Sequence, residues 1–280
     1  EGSDYQIPAD WGMIQGNNLF HSFATFNLDA WESVTFNGPS HIQHIIARVL
    51  STDSAINGQL INTIPDTDLW LINPAGISFG NHANLRLSGA LHLSTADYVR
   101  FTDDSQLQVQ LSQDAMLSAA DPIAFGFLDQ KIAPIQIQGS TLKLQPGNIL
   151  DLVGGEIHIN PGPATENEYG TLIHQQALLK SEGGEINLIA VASPGEAYIN
   201  DKHKNTTQPA DISITHGLLN VANQPDSQNV GSIFIQGDQV TLSGGFNPGS
   251  AIVTSNQSII PASKPGIEIL SDNLSLNDFW

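Results

Sequence analysis

The stretch Leu142-Lys143-Leu144-Gln145-Pro146-Gly147-Asn148-Ile149-Leu150-Asp151-Leu152-Val153-Gly154-Gly155-Glu156-Ile157-His158-Ile159 decides the fold. It holds three pairs of apolar residues one position apart, Leu142/Leu144, Leu150/Leu152 and Ile157/Ile159, with Pro, Gly and Asn between them. Residues i and i+2 lie on the same side of a strand and on opposite sides of a helix, so each pair marks a very short strand with one inward face. The turn formers between the pairs are packed more densely than a helix tolerates.

The same unit runs from Asn84 onward. Leu85/Leu87, Leu91/Leu93 and Ile135/Ile137 precede the quoted stretch, and Ile186/Leu188, Ile212/Ile214, Leu219/Val221, Ile233/Ile235, Val240/Leu242, Ile267/Ile269 and Leu274/Leu276 follow it. Successive pairs often start seven residues apart, as at 135 and 142, 150 and 157, 212 and 219, 233 and 240, and 267 and 274. Short strands with regular turns predict an all-β chain wound as a right-handed parallel β-helix, each rung stacking on the last. Three strands make a rung of roughly 21 residues, so residues 85–276 would hold about nine rungs, fewer where loops intrude. At about 4.8 Å per rung the body would be about 40 Å long. A β-sandwich is the competing architecture. Ile137, Leu144, Leu152, Ile159, Leu188, Ile214 and Ile235 are expected to point into the core. The word Gly-Gly-Glu-Ile at 154 recurs at 183, an interval that reads as one rung plus a loop.

Polar segments at 161–169, 201–209 and 222–229 read as excursions from the coil, and none demands a domain boundary. The expectation is one elongated domain over 1–280, with an N-terminal cap and first rungs to about residue 83 and β-helix rungs from 84. Ile42, Ile45, Ile46 and Val49 fall on one helical face behind Pro39, which predicts a short helix lying across the open end of the coil.

Residues 69–80 read Leu69-Trp70-Leu71-Ile72-Asn73-Pro74-Ala75-Gly76-Ile77-Ser78-Phe79-Gly80. Asn73-Pro74-Ala75-Gly76 suits a type I turn, with Asn first, Pro presetting φ at the second position and Gly fourth. Before it, residues 69–72 are apolar on both faces, as in a strand covered on both sides. Together with Asn18-Leu19-Phe20-His21-Ser22-Phe23 and Ser94-Thr95-Ala96-Asp97, this block resembles the secretion domain of two-partner secretion exoproteins, the filamentous haemagglutinin family. The resemblance is close from about residue 15 to 97 and returns at 142–156. The family writes its turn Asn-Pro-Asn-Gly-Ile, so Ala75 departs at one position. The family's second motif, Asn-Pro-Asn-Leu, which only some branches carry, is not found.

The resemblance implies a chain recognised by a dedicated outer-membrane β-barrel transporter through its periplasmic domains, and β-helix folding nucleated on export. It implies a secreted or cell-surface Gram-negative product that has crossed periplasm and outer membrane. Carried onto this chain, Asn73, Pro74, Ala75, Gly76 and Ile77, with Asn18, Leu19, Phe20, His21, Ser22 and Phe23, are either a transporter-recognition site or a folding motif. The apolar beat persists to Leu276, so the segment is expected to be the N-terminal part of a longer exoprotein. Such an exoprotein would be an adhesin or haemagglutinin whose remaining part meets a host-cell or surface ligand.

Composition narrows the alternatives. Hydrophobic residues make up 40% of the 280, enough for a sizeable core. Nine Lys and Arg face 28 Asp and Glu, a net charge of −19, which excludes nucleic acid as a natural partner and disfavours an anionic membrane. No stretch approaches the roughly 20 apolar residues of a membrane span. Cysteine is absent, which excludes disulfides and thiolate chemistry and suits a chain threaded unfolded through a pore.

Nine histidines form no HExxH and no cluster with ligand spacing, so no metal or cofactor is implied; His41 and His44 read as surface or packing residues, and His21 as a buried hydrogen-bonded one. Asp103-Asp104 and Glu166/Glu168 are the densest acids and read as solvated turns. A secreted polysaccharide lyase or hydrolase is the enzymatic alternative. It would need cations to grip the substrate's carboxylates, and none of Arg48, Arg86 and Arg100 is directly beside an acidic cluster in sequence. No GxSxG elbow or P-loop occurs, and nothing in the sequence argues for an enzyme. An autonomous adhesive β-helix is the remaining alternative. Phe20, Phe23, Phe26 and Phe36 read as core packing near the start.

Overall fold

Each apolar pair becomes a strand of three to six residues whose backbone bonds to the strands one coil before and one coil after it. The computed structural model describes residues 3–110, 117–223, 230–244, 251–253 and 266–277. Three sheets result. The first, eight strands, runs from Asp4–Pro8 through Ser33–Asn37, Gln59–Asn62, Asn84–Arg86, Thr141–Lys143, Ala177–Lys180 and Gly217–Asn220 to Ala251–Val253. The second, nine strands, runs from Met13–Gln15 through Asn18–Phe23, His44–Val49, Asp68–Ile72, Leu91–Ser94, Ile149–Gly154, Glu185–Ala190 and Ser232–Gln236 to Ile267–Leu270. The third, seven strands, runs from Ser54–Ile56 to Asn273–Asn277. In all three, order in space is order in sequence, and within them only the Met13–Gln15 pairing is antiparallel. This is a parallel β-helix.

Register builds the core. Leu69, Leu91, Leu150, Ile186, Ile233 and Ile267 form one column of the second sheet, and Leu71, Leu93, Leu152, Leu188, Ile235 and Ile269 form the next. The seven residues expected inside are at most 2% exposed and belong to one continuous core. The seven-residue beat is the step between neighbouring sheets: Leu150 lies in the second sheet and Ile157 in the third.

Three expectations are corrected. Ser33 pairs with Gln59 and Gln59 with Asn84, so a coil takes about 25 residues rather than 21, because its corners are longer than tight turns. With excursions added, residues 84–277 supply five strands of the first sheet rather than nine rungs. The recurring Gly-Gly-Glu-Ile does not mark equivalent positions: Ile157 opens a strand of the third sheet and Ile186 lies in the second. The word encodes a corner followed by a strand, and more than one corner accepts it. Residues 44–49 are a strand, His44–Val49, parallel to Asn18–Phe23 and Asp68–Ile72, and not a helix. Ile45, Ala47 and Val49 face the interior while Ile46 faces a second core outside it. A strand apolar on both faces imitates a helical stripe over so short a window, and its β-branched content favours the strand.

That second core lies under a flanking antiparallel sheet of four strands, Gln106–Gln108, Tyr98–Phe101, Pro122–Phe127 and Gly195–Tyr198. Phe20, Ile46, Trp70, Ile72, Val153, Ile189 and Phe234 from the outer face of the second coil sheet meet Val99, Phe101, Phe125, Phe127 and Ala197. Residues 69–72 are therefore covered on both sides, as their composition predicted: Leu69 and Leu71 inside, Trp70 and Ile72 outside. A hairpin of Ala164–Glu166 with Leu172–His174 projects from the coil, and the 201–209 segment holds a 3-10 turn at Lys202–Lys204. Most of the 222–229 segment lies outside the described residues.

Replacing Leu152 by Ala is expected to cost about 2–5 kcal/mol, since a filled column cannot close over the gap. Lys143→Ala, on the exposed side of its strand, should change stability by less than about 0.5 kcal/mol. Urea denaturation of both variants checks this.

Candidate functional site

The strand Asp68–Ile72 runs into the turn that begins at Asn73. The Gly76 N–H donates to the Asn73 carbonyl at 3.0 Å, closing four residues. Gly76 has φ +121°, a conformation that side chains avoid. Asn73 is 1% exposed and bonds in several directions. Its Nδ2 donates to the Thr52 carbonyl at 2.8 Å and to Ser54 Oγ at 2.9 Å, both in the preceding coil. Its Oδ1 accepts from the Ala75 N–H at 3.0 Å, and its own N–H donates to the Ser94 carbonyl of the following coil at 2.9 Å. One residue ties three coils. Pro74 is half-buried and Ile77 buried, whereas Ala75 is exposed, so the one departure from the family's wording falls where the core is untouched.

The Asn18–Phe23 strand alternates between two cores. Leu19 and His21 face the interior of the coil, and Phe20 faces the flanking sheet with its ring 6.2 Å from that of Phe101. Asn18 is fully buried, and its Nδ2 donates to the Ser118 and Ala120 carbonyls at 2.9 and 2.8 Å, anchoring the chain that enters the flanking sheet. Its Oδ1 has no hydrogen-bond partner among the described residues. His21 is buried as expected but is held by packing rather than by the expected hydrogen bond: its ring lies 5.9 Å from that of Phe23 and 5.8 Å from that of Phe36, and its Nε2 has no hydrogen-bond partner among the described residues. Burial pushes its pKa down to about 4, so it is neutral inside the coil. Ser22 is exposed and accepts from Arg48 Nε at 2.7 Å.

The Asn73 turn follows Asp68–Ile72, a strand of the sheet that also holds Asn18–Phe23, and Ile77 opens a strand of the third sheet. The strand His44–Val49 lies between Asn18–Phe23 and Asp68–Ile72, which sets those two strands about 10 Å apart. The third motif, residues 94–97, marks where the chain leaves the coil. Thr95 Oγ1 donates to the Ala133 carbonyl at 2.8 Å, where the chain returns, and Asp97 Oδ2 accepts from the Leu128 N–H at 2.7 Å.

Sequence reading missed a buried polar cluster between coil and flanking sheet. His92 is 3% exposed, in register between Trp70 and Asp151 on the outer face of the second sheet. Its Nδ1 lies 2.6 Å from Asp151 Oδ2, and Asn187 Nδ2 donates to Asp151 Oδ1 at 2.6 Å. Nε2 lies 4.0 Å from Asp68, and the ring is 4.2 Å from that of Trp70. Burial opposes a charge on His92, but Asp151 and Asp68 outweigh it and raise the pKa to about 9. Burial likewise pushes Asp68 up, yet the imidazoles of His44 and His92 and the Ala90 N–H hold it well below the usual carboxylate range. His92, Asp151 and Asn187 come from three successive coils in register, so the ion pair ties those coils together. Among the described residues no three His, Asp or Glu side chains are grouped to hold a metal ion. The cluster surfaces only once register is known, because its members lie far apart in sequence.

The family model of the TPS secretion domain matches residues 6–245, and the chain belongs to that family. It is a secretion domain of a two-partner exoprotein, hence part of a secreted protein whose family implies a cognate outer-membrane transporter. Among solved structures, the secretion domain of HMW1 from Haemophilus influenzae shares the fold, with TM-score 0.54 and 20% identity over 95% of this chain and 68% of that one. No curated protein sequence matches the chain significantly.

Two titrations of opposite sign follow. His21, at about 4 when folded against an ordinary 6.5, binds its proton more readily in the unfolded chain. Stability is therefore expected to fall as pH drops from 6.5 to 4, and His21→Gln should flatten that slope. His92 stays protonated to about 9 when folded. Its contribution is complete below pH 6.5 and lost as pH rises towards 9, and His92→Gln should remove that loss. Urea midpoints across the pH range measure both.

Proposed function

We propose that the chain is presented to a dedicated outer-membrane β-barrel transporter, that the transporter's periplasmic domains bind it, and that its first coils nucleate the β-helix as they emerge at the cell surface. The observation that carries this reading is the order of strands. Each strand of the coil has the strand one coil earlier as its template, so the coil grows from its first emerged end.

The motif residues act in this scheme through the fold. Of the eleven, only Ser22 and Ala75 are exposed, with Phe23 and Pro74 half-buried. A partner docking on the finished domain would reach few of these side chains. Asn73, Gly76, Asn18, Leu19, Phe20, His21 and Ile77 are therefore proposed as folding determinants, while the transporter reads either the unfolded chain or other surface. The N-terminal end offers such surface: Tyr5, Trp11, Met13 and Ile14 are exposed there beside a cleft lined by Ile7, Pro8, Phe23, Phe26 and Val34.

The test joins three measurements on Asn73→Ala. Thermal stability should fall by about 2–3 kcal/mol, the cost of several lost hydrogen bonds with buried partners left unmade. The folded fraction should bind the isolated periplasmic domains as the parent does, and secretion by the intact pair should drop. Unchanged stability with lost binding would make the turn a recognition site. Failure of the parent domain to bind the periplasmic domains, folded or unfolded, would overturn the scheme.

A further inference from the structure

We propose that the outer face of the first sheet is a binding site for an uncharged oligosaccharide, with Trp31 as its stacking platform. The inference is independent of the transporter reading, because it concerns the folded domain. Trp31 stands third in a turn closed by the Glu32 N–H donating to the Asp29 carbonyl at 3.1 Å. Its φ is +72°, a conformation suited to Gly or Asn at that place and costly for a bulky side chain. Packing does not explain the choice of Trp. The side chain is 77% exposed, and its described ring contact is with His82, 5.2 Å away. The turn is held from beneath by Gly58, where an added Cβ would lie 2.3 Å from the Glu32 carbonyl oxygen and 2.8 Å from that of Asp29. With no side chain at Gly58, the indole reaches across the intervening coil towards His82. Strain kept at a large exposed aromatic is the kind of outlier that points to a ligand.

The surface beside the indole fits a sugar. A cavity of about 550 Å³ is lined by Asp4, Gln6, Ser33, Thr35, Gln59, Asn84 and Arg86 together with Trp31 and His82. Register sets these in two outward columns across neighbouring coils: Asp4, Ser33, Gln59 and Asn84 in one, Gln6, Thr35, Ile61 and Arg86 in the other. The side chains of Gln59, Asn84 and Arg86 make no hydrogen bond among the described residues, so their donors are available to hydroxyls. Asp4 and Glu32 are already engaged, Asp4 by Ser33 Oγ at 2.5 Å and Glu32 by Tyr5 Oη at 3.0 Å and the Asp29 N–H at 2.8 Å. A pyranose lays an apolar C–H face on an aromatic ring while its rim of hydroxyls bonds to amides and a guanidinium, the pairing this surface offers. Two carboxylates in the site and the net charge of −19 select against sulfated or sialylated chains.

The experiment uses the purified folded domain against an array of neutral hexose and N-acetylhexosamine oligosaccharides, with heparin and sialylated glycans as charged probes. Calorimetric titration of the positives follows. The expected result is binding of at least one neutral oligosaccharide. Trp31→Gly, which relieves the backbone conformation, should weaken it about tenfold or more at a Tm no lower than the parent's, Trp31→Phe should lose less, and Arg86→Gln should weaken it independently. Absence of neutral-glycan binding, binding of charged glycans alone, or equal binding by the parent and Trp31→Gly would overturn the proposal.

Discussion

Everything in this molecule depends on the vertical stacking of like apolar side chains between successive coils. A strand of three to six residues has too few hydrogen bonds to persist alone, and it exists because its inward Leu or Ile lands on the Leu or Ile of the coil before. The column from Leu69 to Ile267 illustrates the point: its members come from six separate places in the chain, and those from Leu69 to Ile233, each with a neighbour on both sides along the sheet, are buried. Stacking of identical shapes has a weakness, because a coil shifted by two residues would stack almost as well. Devices that forbid such slips are therefore as necessary as the stacking itself.

Two such devices use buried polar groups. Asn73 reaches one coil back and one coil forward, so only one register satisfies its amide and backbone together. His92, Asp151 and Asn187 do the same on the outer face, each contributed by a different coil and each in register with the next. A displaced coil would leave a buried charge without its partner, a heavier penalty than any loss of apolar overlap. The aromatic group at the N-terminal end differs in kind. His21, Phe23, Phe26 and Phe36 fill the first coils with bulk where there is no earlier coil to stack on.

The coil was legible because its signal is local: two apolar residues one apart, then turn formers, is enough to name a short strand. Residues 69–72 even revealed that their strand is covered on both sides. The same locality explains the errors. Ile42, Ile45, Ile46 and Val49 satisfy a helical stripe only because the strand there also buries both faces, and the cover, the flanking sheet, is made of distant residues. The two Gly-Gly-Glu-Ile words look like a repeat but occupy different corners, since a corner's sequence states that a strand follows and not which sheet it joins. The motif residues were found through resemblance and the turn, whereas the His92 cluster lay out of sight because Asp68, His92, Asp151 and Asn187 have no common sequence neighbourhood. Trp31 is a bulky residue one place before the end of a turn, and only its φ gives that placement meaning.

The flanking sheet does not obey the coil's order. Tyr98–Phe101 and Pro122–Phe127 pair soon after they are made, but the fourth strand, Gly195–Tyr198, is separated from them by two further coils. The coil therefore grows steadily while its side wall waits for a late arrival. Until that strand is available the wall lacks its last edge, and Ala197 is not yet in place over the outer face of the second sheet. Assembly is thus a running process with one delayed fastening, and the domain reaches its final shape at a definite length of chain rather than gradually.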